Sequence, residues 1–140
     1  MKKIKDLEKL RAEFAYECVE KVVDEHGKDS KTSNEYKSYV KKIPTMIQTN
    51  GLSATFAFIY SKKKTYEIIY QDIEKWLREK RKLKDNDDEL VKWLIKLDST
   101  NYKYITSEVM AFFMWLRRFA EGMIEKEKGS EDVKKKEEKK

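Results

Sequence analysis

Apolar residues recur at steps of three and four through most of this chain, and only one proline and four glycines interrupt it. This spacing matches one face of an α-helix, which turns once in 3.6 residues. The sequence therefore predicts an all-α fold, with a single-domain bundle of about five to seven helices in residues 1–128. Residues 129–140 are low-complexity and charged, which predicts a disordered tail.

Starts and stops of the helices follow from capping residues. Pro44 lies inside the second pattern, so a kink or a restart is expected there, and Gly51 ends it. Residues 52–61 are short and apolar, and helix is preferred there because no partner strand is evident. Residues 98–105 are expected to form a connection. Candidate helices begin at Lys3, after a cap at Ser33 or Asn34, at Leu52, at Thr65, at Glu89, and after a cap at Thr106.

Charged positions are assigned to a helix start, a turn and the outer face of a helix. Glu108 is expected in the first turn of the last helix, where a negative charge favours the helix dipole. Residues 84–88 are expected to form a polar turn after a helix over 65–83. The outer face of that helix mixes both signs: Asp72, Glu74, Lys75, Arg78, Glu79 and Arg81.

The net charge of +6 belongs to one internal segment. Between Tyr36 and Tyr66 there are six lysines and no acidic residue, and the rest of the chain has equal numbers of basic and acidic residues. A local excess of positive charge attracts polyanions. The alternative is a solvated face, but solvated helices usually mix both signs. The six residues are Lys37, Lys41, Lys42, Lys62, Lys63 and Lys64.

Residue types for catalysis are nearly absent. The single histidine, His26, precedes Gly27 as a helix-terminal residue, and the single cysteine, Cys18, lies on an apolar stripe as a small core residue. No phosphate-binding loop, nucleophile elbow or dinucleotide fingerprint is present. We therefore predict no enzymatic activity, no cofactor, no metal and no small-molecule substrate. The longest apolar run, 109–116, is too short to span a bilayer, and no signal peptide is evident, so a cytoplasmic protein is expected.

Aromatic and sulfur-containing residues suggest two further surfaces. Tyr60 and Tyr66 flank the lysines at 62–64 and are candidates for stacking on bases, although packing is the simpler interpretation. The last helix is apolar almost all round, so it is either central in the bundle or faces a partner. The candidate partner surface consists of Met110, Met114 and Trp115.

Two stretches resemble a known family. They are residues 39–62, YVKKIPTMIQTNGLSATFAFIYSK, and residues 97–122, LDSTNYKYITSEVMAFFMWLRRFAEG. The shared features are a basic-apolar-proline opening, a Q-x-N-G-L turn, a Leu-Asp-Ser connection and a W-L-R-R-F-A-E-G ending. In this order the chain resembles the small helical subunit of the Cmr complex, the type III-B CRISPR RNA-guided effector. Enrichment in lysine and glutamate is also typical of a thermophilic source.

The resemblance implies a non-catalytic helical subunit in antiviral defence. Such subunits stack along a ribonucleoprotein, beside backbone and large subunits and neighbouring copies of themselves, and help form the channel for guide and target RNA. The positions that match basic residues of the family are Lys41, Lys42, Lys62, Arg117 and Arg118. Three more candidates are included because of their charge alone: Lys37, Lys63 and Lys64. All eight residues are expected to contact the RNA backbone. An ion pair with Glu121 is the competing interpretation for one of the two arginines.

Two other functions stay open. A helical DNA-binding regulator would need an exposed polar recognition helix, and the helix after Gly51 is too apolar for that role. A purely protein–protein adaptor would use the apolar surface of the last helix and make no contact with nucleic acid.

Overall fold

Helices account for all the regular structure in the computed structural model, which describes residues 4–126. The part described confirms the predicted all-α fold, with six α-helices in one domain and no strand within that range. Residues 127–140, including the predicted tail at 129–140, lie outside it. The elements are α1 (Ile4–His26), α2 (Lys31–Asn50), α3 (Leu52–Tyr60), α4 (Thr65–Lys75), a π-helical segment (Trp76–Lys80), α5 (Leu90–Ile95) and α6 (Ser99–Met123).

α6 is the central helix of the bundle, because both long N-terminal helices pack along it. It runs parallel to α1, since the contacts follow the same order from Arg11–Glu108 to Tyr16–Phe119. It runs antiparallel to α2, because Lys37, near the start of α2, reaches the carbonyl group just after the end of α6. The buried face of α6 therefore touches most of the core, as its apolar pattern predicted.

Three aromatic rings form the centre of the core. Trp76 stacks on Phe112 with ring centroids 4.6 Å apart and an interplanar angle of 11°. Phe14 stacks on both rings, at 5.9 Å from Trp76 and 5.8 Å from Phe112. This cluster joins α1, the π-helical segment and α6, so residues far apart in the sequence share one apolar layer.

Glycine ends the first two helices. Gly27 and Gly51 have φ angles of 95° and 90°, which side chains larger than hydrogen rarely adopt. Gly51 also allows a close approach, since a Cβ atom there would lie 3.3 Å from the hydroxyl oxygen of Tyr102. That hydroxyl accepts a hydrogen bond from the backbone N–H of Ser53 at 3.0 Å. The predicted turn at residues 50–52 is thus tied to α6.

α2 begins earlier than predicted. Ser30 is its N-cap, and the Ser30 hydroxyl accepts a hydrogen bond from the N–H of Ser33 at 3.0 Å. The expected cap at Ser33 or Asn34 was wrong because two serines three residues apart compete for the role. The helix then continues through Pro44 to Asn50 without a restart.

α6 also begins earlier, and the predicted connection over residues 98–105 was wrong. Asp98 caps the helix, accepting a hydrogen bond from the N–H of Asn101 at 2.8 Å. Thr106, the expected cap, lies inside the helix and donates its hydroxyl hydrogen to the carbonyl four residues earlier, at 2.8 Å. Glu108 is therefore not in the first turn of α6. It is buried, with 3% of its surface exposed.

The predicted helix over 65–83 ends as a π-helical segment at Lys80, and part of its expected outer face is inside. Asp72 and Glu74 are half-buried, and Arg81 is largely covered. Lys84, expected in a polar turn, is fully buried. Its ammonium donates hydrogen bonds to Glu74 at 3.2 Å and to the carbonyl of Asn86 at 2.9 Å.

Candidate nucleic-acid interface

Two of the predicted lysines are joined through three aromatic rings. Lys42 Nζ lies 5.6 Å from the ring centroid of Tyr39, and Lys62 Nζ lies 5.1 Å from that of Phe58. Tyr39 stacks on Tyr66 at 3.9 Å and 6°, and Phe58 meets Tyr66 edge-on at 5.6 Å. We call these five residues the lysine–aromatic surface. It unites lysines that are twenty positions apart in the sequence, from α2 and from the α3–α4 loop.

The rings of this surface orient its charges. A cation above an aromatic face is attracted by the ring quadrupole, so the ammonium groups lose less freedom when they meet a ligand. Burial, followed by the nearby Glu35 carboxylate, raises the pKa of Tyr39 above its usual value. Tyr66 is buried and Tyr60 is half exposed, so packing is the main role of Tyr66.

The other lysines of the segment differ in surroundings. Lys41, Lys63 and Lys64 are exposed, and within residues 4–126 none of them forms an ion pair. Lys37 is half-buried and donates a hydrogen bond to the carbonyl of Ile124 at 3.2 Å. It therefore holds the chain after α6 in place, in addition to adding charge.

Backbone geometry fixes the loop that carries three of these lysines. Lys64 has a φ of 62°, a left-handed value that is uncommon outside glycine. It precedes α4, and its carbonyl accepts a hydrogen bond from the N–H of Glu67 at 3.0 Å. Such strain persists where the surroundings determine the conformation, and it clusters at functional sites.

The two predicted arginines lie on α6. Arg117 donates a hydrogen bond to Glu121 at 3.1 Å, which agrees with the competing structural interpretation, and Arg118 is exposed. In the described part of the chain, neither makes a hydrogen bond, ion pair or ring contact with the lysine–aromatic surface. They are a separate cationic position.

The predicted partner surface is divided between two sides of α6. Met110 and Met114 are one turn apart, and Met114 is 47% exposed. Trp115 stacks on Phe119, one turn later in α6, at 5.8 Å, and Phe119 meets Tyr16 of α1 edge-on at 5.3 Å. The exposed apolar atoms near Trp115 thus belong to an α1–α6 seam.

Glu108 is the centre of a charged cluster that the sequence did not reveal. Arg11 donates two hydrogen bonds to its carboxylate, at 2.8 and 2.9 Å, and Arg81 forms an ion pair with it. The indole N–H of Trp76 donates a third hydrogen bond at 3.1 Å. The only indication in the sequence is that Glu108 lies four residues before Phe112, on the apolar stripe of this helix.

Residues 4–126 contain no group of three or more histidine, cysteine or acidic side chains placed to hold a metal ion. Within the same range no helix combines the length and the apolar character needed to cross a bilayer.

Comparison with known proteins gives concordant results. Residues 7–123 match the family model described as "CRISPR-associated protein (Cas_Cmr5)". A protein of Thermus thermophilus, described as "CRISPR system Cmr subunit Cmr5", is 29% identical over 117 residues, which cover 81% of this chain and 92% of that protein. The crystal structure of a CRISPR-associated Cmr5 family protein from the same organism superposes with a TM-score of 0.69. It has 27% identity and covers 84% of this chain and 97% of that one.

Proposed function

The chain belongs to the Cmr5 family of CRISPR-associated proteins, and from this premise we propose that it is a non-catalytic structural subunit of a type III-B Cmr ribonucleoprotein. In this proposal it acts in cytoplasmic antiviral defence. It stacks along the complex beside backbone and large subunits and further copies of itself. Its lysine–aromatic surface and the neighbouring lysines help line the channel for guide and target RNA.

One observation carries the RNA part of the proposal. Lys42 and Lys62 lie at the two ends of a continuous group of rings, and within residues 4–126 neither has an acidic partner. Unpaired, exposed cations displace counterions from a phosphate backbone without reading its sequence. In an RNA-guided complex, sequence is read by base pairing, so this contact is sufficient for a lining subunit.

The test is the double variant Lys41→Glu, Lys42→Glu, reconstituted with the other subunits and a guide RNA. Both side chains are exposed, so the variant should fold, which circular dichroism and thermal unfolding would verify. We expect the complex to assemble and to bind target RNA at least tenfold more weakly. Assembly with unchanged RNA affinity would remove the lysines from the interface and would favour the adaptor alternative.

A matched control is the double variant Lys9→Glu, Lys96→Glu. It changes the net charge by the same amount at exposed positions of α1 and after α5. If this control weakens RNA binding equally, binding depends on the net charge of the protein and not on the lysine–aromatic surface. A preference of the isolated protein for duplex DNA over RNA would instead support the helical regulator.

A further inference from the structure

A second cationic site lies at the opposite end of the α4 region. A cleft of about 500 Å³ opens between the start of α1, the end of the π-helical segment and α6. Its lining residues are Leu7, Lys80, Arg81, Lys82 and Tyr104. Lys80 lies fourteen residues after Tyr66 of the lysine–aromatic surface along continuous helix, about 21 Å at the rise of an α-helix, so the cleft is distinct from that surface.

Arg81 is a fixed charge in the wall of this cleft. Its side chain is 10% exposed, and it forms an ion pair with Glu108. Its second terminal nitrogen donates a hydrogen bond to the hydroxyl of Tyr104 at 2.7 Å. Two anchors hold the plane of the guanidinium, and the nitrogen bonded to Tyr104 carries a second N–H donor.

Positive charge exceeds negative charge around the cleft. Glu108 is shared between Arg11 and Arg81, so one carboxylate serves two guanidiniums. Lys80 and Lys82 are exposed, and among residues 4–126 neither has an ion-pair partner. A site with this excess of charge and one preoriented guanidinium is suited to an anion.

The backbone holds the lysines in an unusual conformation. Lys82 has a φ of 52°, and the N–H groups of Leu83 and Lys84 both donate to the carbonyl of Leu77, at 2.8 and 3.2 Å. This ending of a helix normally has glycine at the left-handed position. Lysine is strained there, because its Cβ atom crowds the backbone in the left-handed conformation. The strain places a third consecutive cation at the cleft, and π-helical segments such as the one preceding it are frequent at functional sites.

We propose that this cleft is a binding site for the phosphate group of a nucleotide. Arg81 and the two lysines bind the phosphate oxygens, since guanidinium and ammonium groups are the usual phosphate ligands of proteins. Tyr104 is 49% exposed at the edge of the cleft, and the Arg81 guanidinium lies 5.9 Å from its ring centroid. The opposite face of the ring is the one on which a base stacks. The volume lies within the range of small-molecule sites. This proposal does not rest on the proposed RNA channel, and the two sites are separable by mutation.

The experiment is a titration of the full chain followed by NMR through the indole N–H of Trp76, which contacts Glu108 at the back of the site. The probes are adenosine 5′-monophosphate, inorganic phosphate and adenosine. We expect the first two to shift the resonance and adenosine, which lacks phosphate, to leave it unchanged. An unmoved resonance with the monophosphate would overturn the proposal.

Two double variants distinguish binding in the cleft from nonspecific attraction to positive charge. Lys80→Ala with Lys82→Gly removes two cations and lets the strained position relax, so the fold should be retained. We expect at least a tenfold loss of affinity for the monophosphate. Lys63→Ala with Lys64→Gly is the matched control, because it also removes two cations and relieves one positive φ. An equal loss in both variants, or none in the first, would contradict the proposal.

Oligonucleotides identify the source of the phosphate once binding is shown. Tighter binding of triuridylate than of the monophosphate, whether or not its 5′ end is phosphorylated, assigns the site to the backbone of a strand. A preference for the 5′-phosphorylated form assigns it to a strand end, and tighter binding of the monophosphate assigns it to a free nucleotide.

Discussion

Glu108 shows how one buried charge depends on its partners. The residue has 3% of its surface exposed, and its carboxylate is surrounded by two guanidiniums and an indole N–H. Arg11 comes from α1 and Arg81 follows the π-helical segment, so the cluster joins three parts of the chain. Desolvation of such a group is expensive, and only a complete set of partners offsets it.

We predict that Glu108→Gln destabilises the protein by about 3 kcal/mol, because both arginines keep their charges without the carboxylate. For a domain of this size that corresponds to a fall of about 10 °C in the melting temperature. Glu121→Gln is the control on the same helix. It breaks an exposed pair with Arg117 and should cost less than about 0.5 kcal/mol. Similar melting temperatures for both variants would show that the buried cluster contributes little.

Asp72 is a second inward acid, and it gives the stability a pH dependence. Its carboxylate accepts a hydrogen bond from the hydroxyl of Tyr36 at 2.9 Å. Burial raises the pKa of Asp72 to about 7, against the hydrogen bonds from Tyr36 and Cys18, which lower it. Cys18 is a core residue, as predicted, with 5% of its surface exposed, and burial raises the pKa of its thiol.

The sign of the effect follows from proton binding. An aspartate in the unfolded chain titrates near pH 4, about 3 pH units below the folded value. Between these values the folded chain holds a proton that the unfolded chain has released. The contribution of Asp72 to the free energy of unfolding is therefore largest below about pH 4. It falls as the pH rises through 7 and is constant above that. Asp72→Asn should remove this fall in urea titrations at pH 5 and pH 8. An unchanged pH difference would assign it to other groups.

At the scale of the helix, Pro44 lies inside α2 and lowers the stability of that helix. A proline inside a helix removes one backbone hydrogen bond and costs about 3 kcal/mol relative to alanine, of which 0.4–1 kcal/mol is returned through a stiffer unfolded chain. We expect Pro44→Ala to stabilise the protein by about 2 kcal/mol, measured by urea unfolding. Thr45→Ala, at the exposed next position, should change stability by less than about 0.7 kcal/mol. Destabilisation by Pro44→Ala would show that the ring has a packing role.

The helices themselves were predictable because their apolar stripes are long and the glycines at 27 and 51 mark real ends. The starts of α2 and α6 were not. Ser99, Thr100 and Asn101 have the composition of a loop, but Asp98 caps them into a helix. Sequence reasoning weighs each residue alone, whereas a cap depends on one side chain meeting one backbone N–H group.

The sequence predicted which lysines form the candidate site but not how they are arranged in space. The absence of acids between residues 36 and 66 identified the lysines. It could not show that Tyr39 and Phe58 would bring two of them together through Tyr66, since that contact depends on how α2, α3 and α4 pack. Glu108 and Lys84 were missed for the opposite reason. Their residue types indicate solvent, and only the fold supplies the partners that permit burial.

Among residues 4–126, acidic side chains form a stripe along α1, although the exposed Lys9 and Lys21 lie on the same helix. The outward positions of α1 carry exposed acids at steps of three and four: Glu13, Glu17, Glu20 and Asp24. The exposed cations of α2 and the α3–α4 loop are on other elements. The acid-free lysine segment attracts a polyanion more strongly than the mixed-sign surface of α1 does, and this difference favours one orientation. Orientation, rather than affinity, is what a subunit of an ordered assembly requires from such contacts.

The salt dependence of RNA binding measures how many lysines contact phosphate groups. For the isolated chain and single-stranded RNA, the logarithm of the affinity should fall linearly with the logarithm of salt concentration, by about 0.7 per phosphate contact. We predict that Lys42→Ala with Lys62→Ala lowers the slope by about 1.4, because two contacts are lost. Lys9→Ala with Lys96→Ala removes the same charge from other exposed positions and should leave the slope almost unchanged. Equal slopes for the two variants would mean that RNA contacts the protein without orientation, and the lysine–aromatic surface would then be only a solvated face.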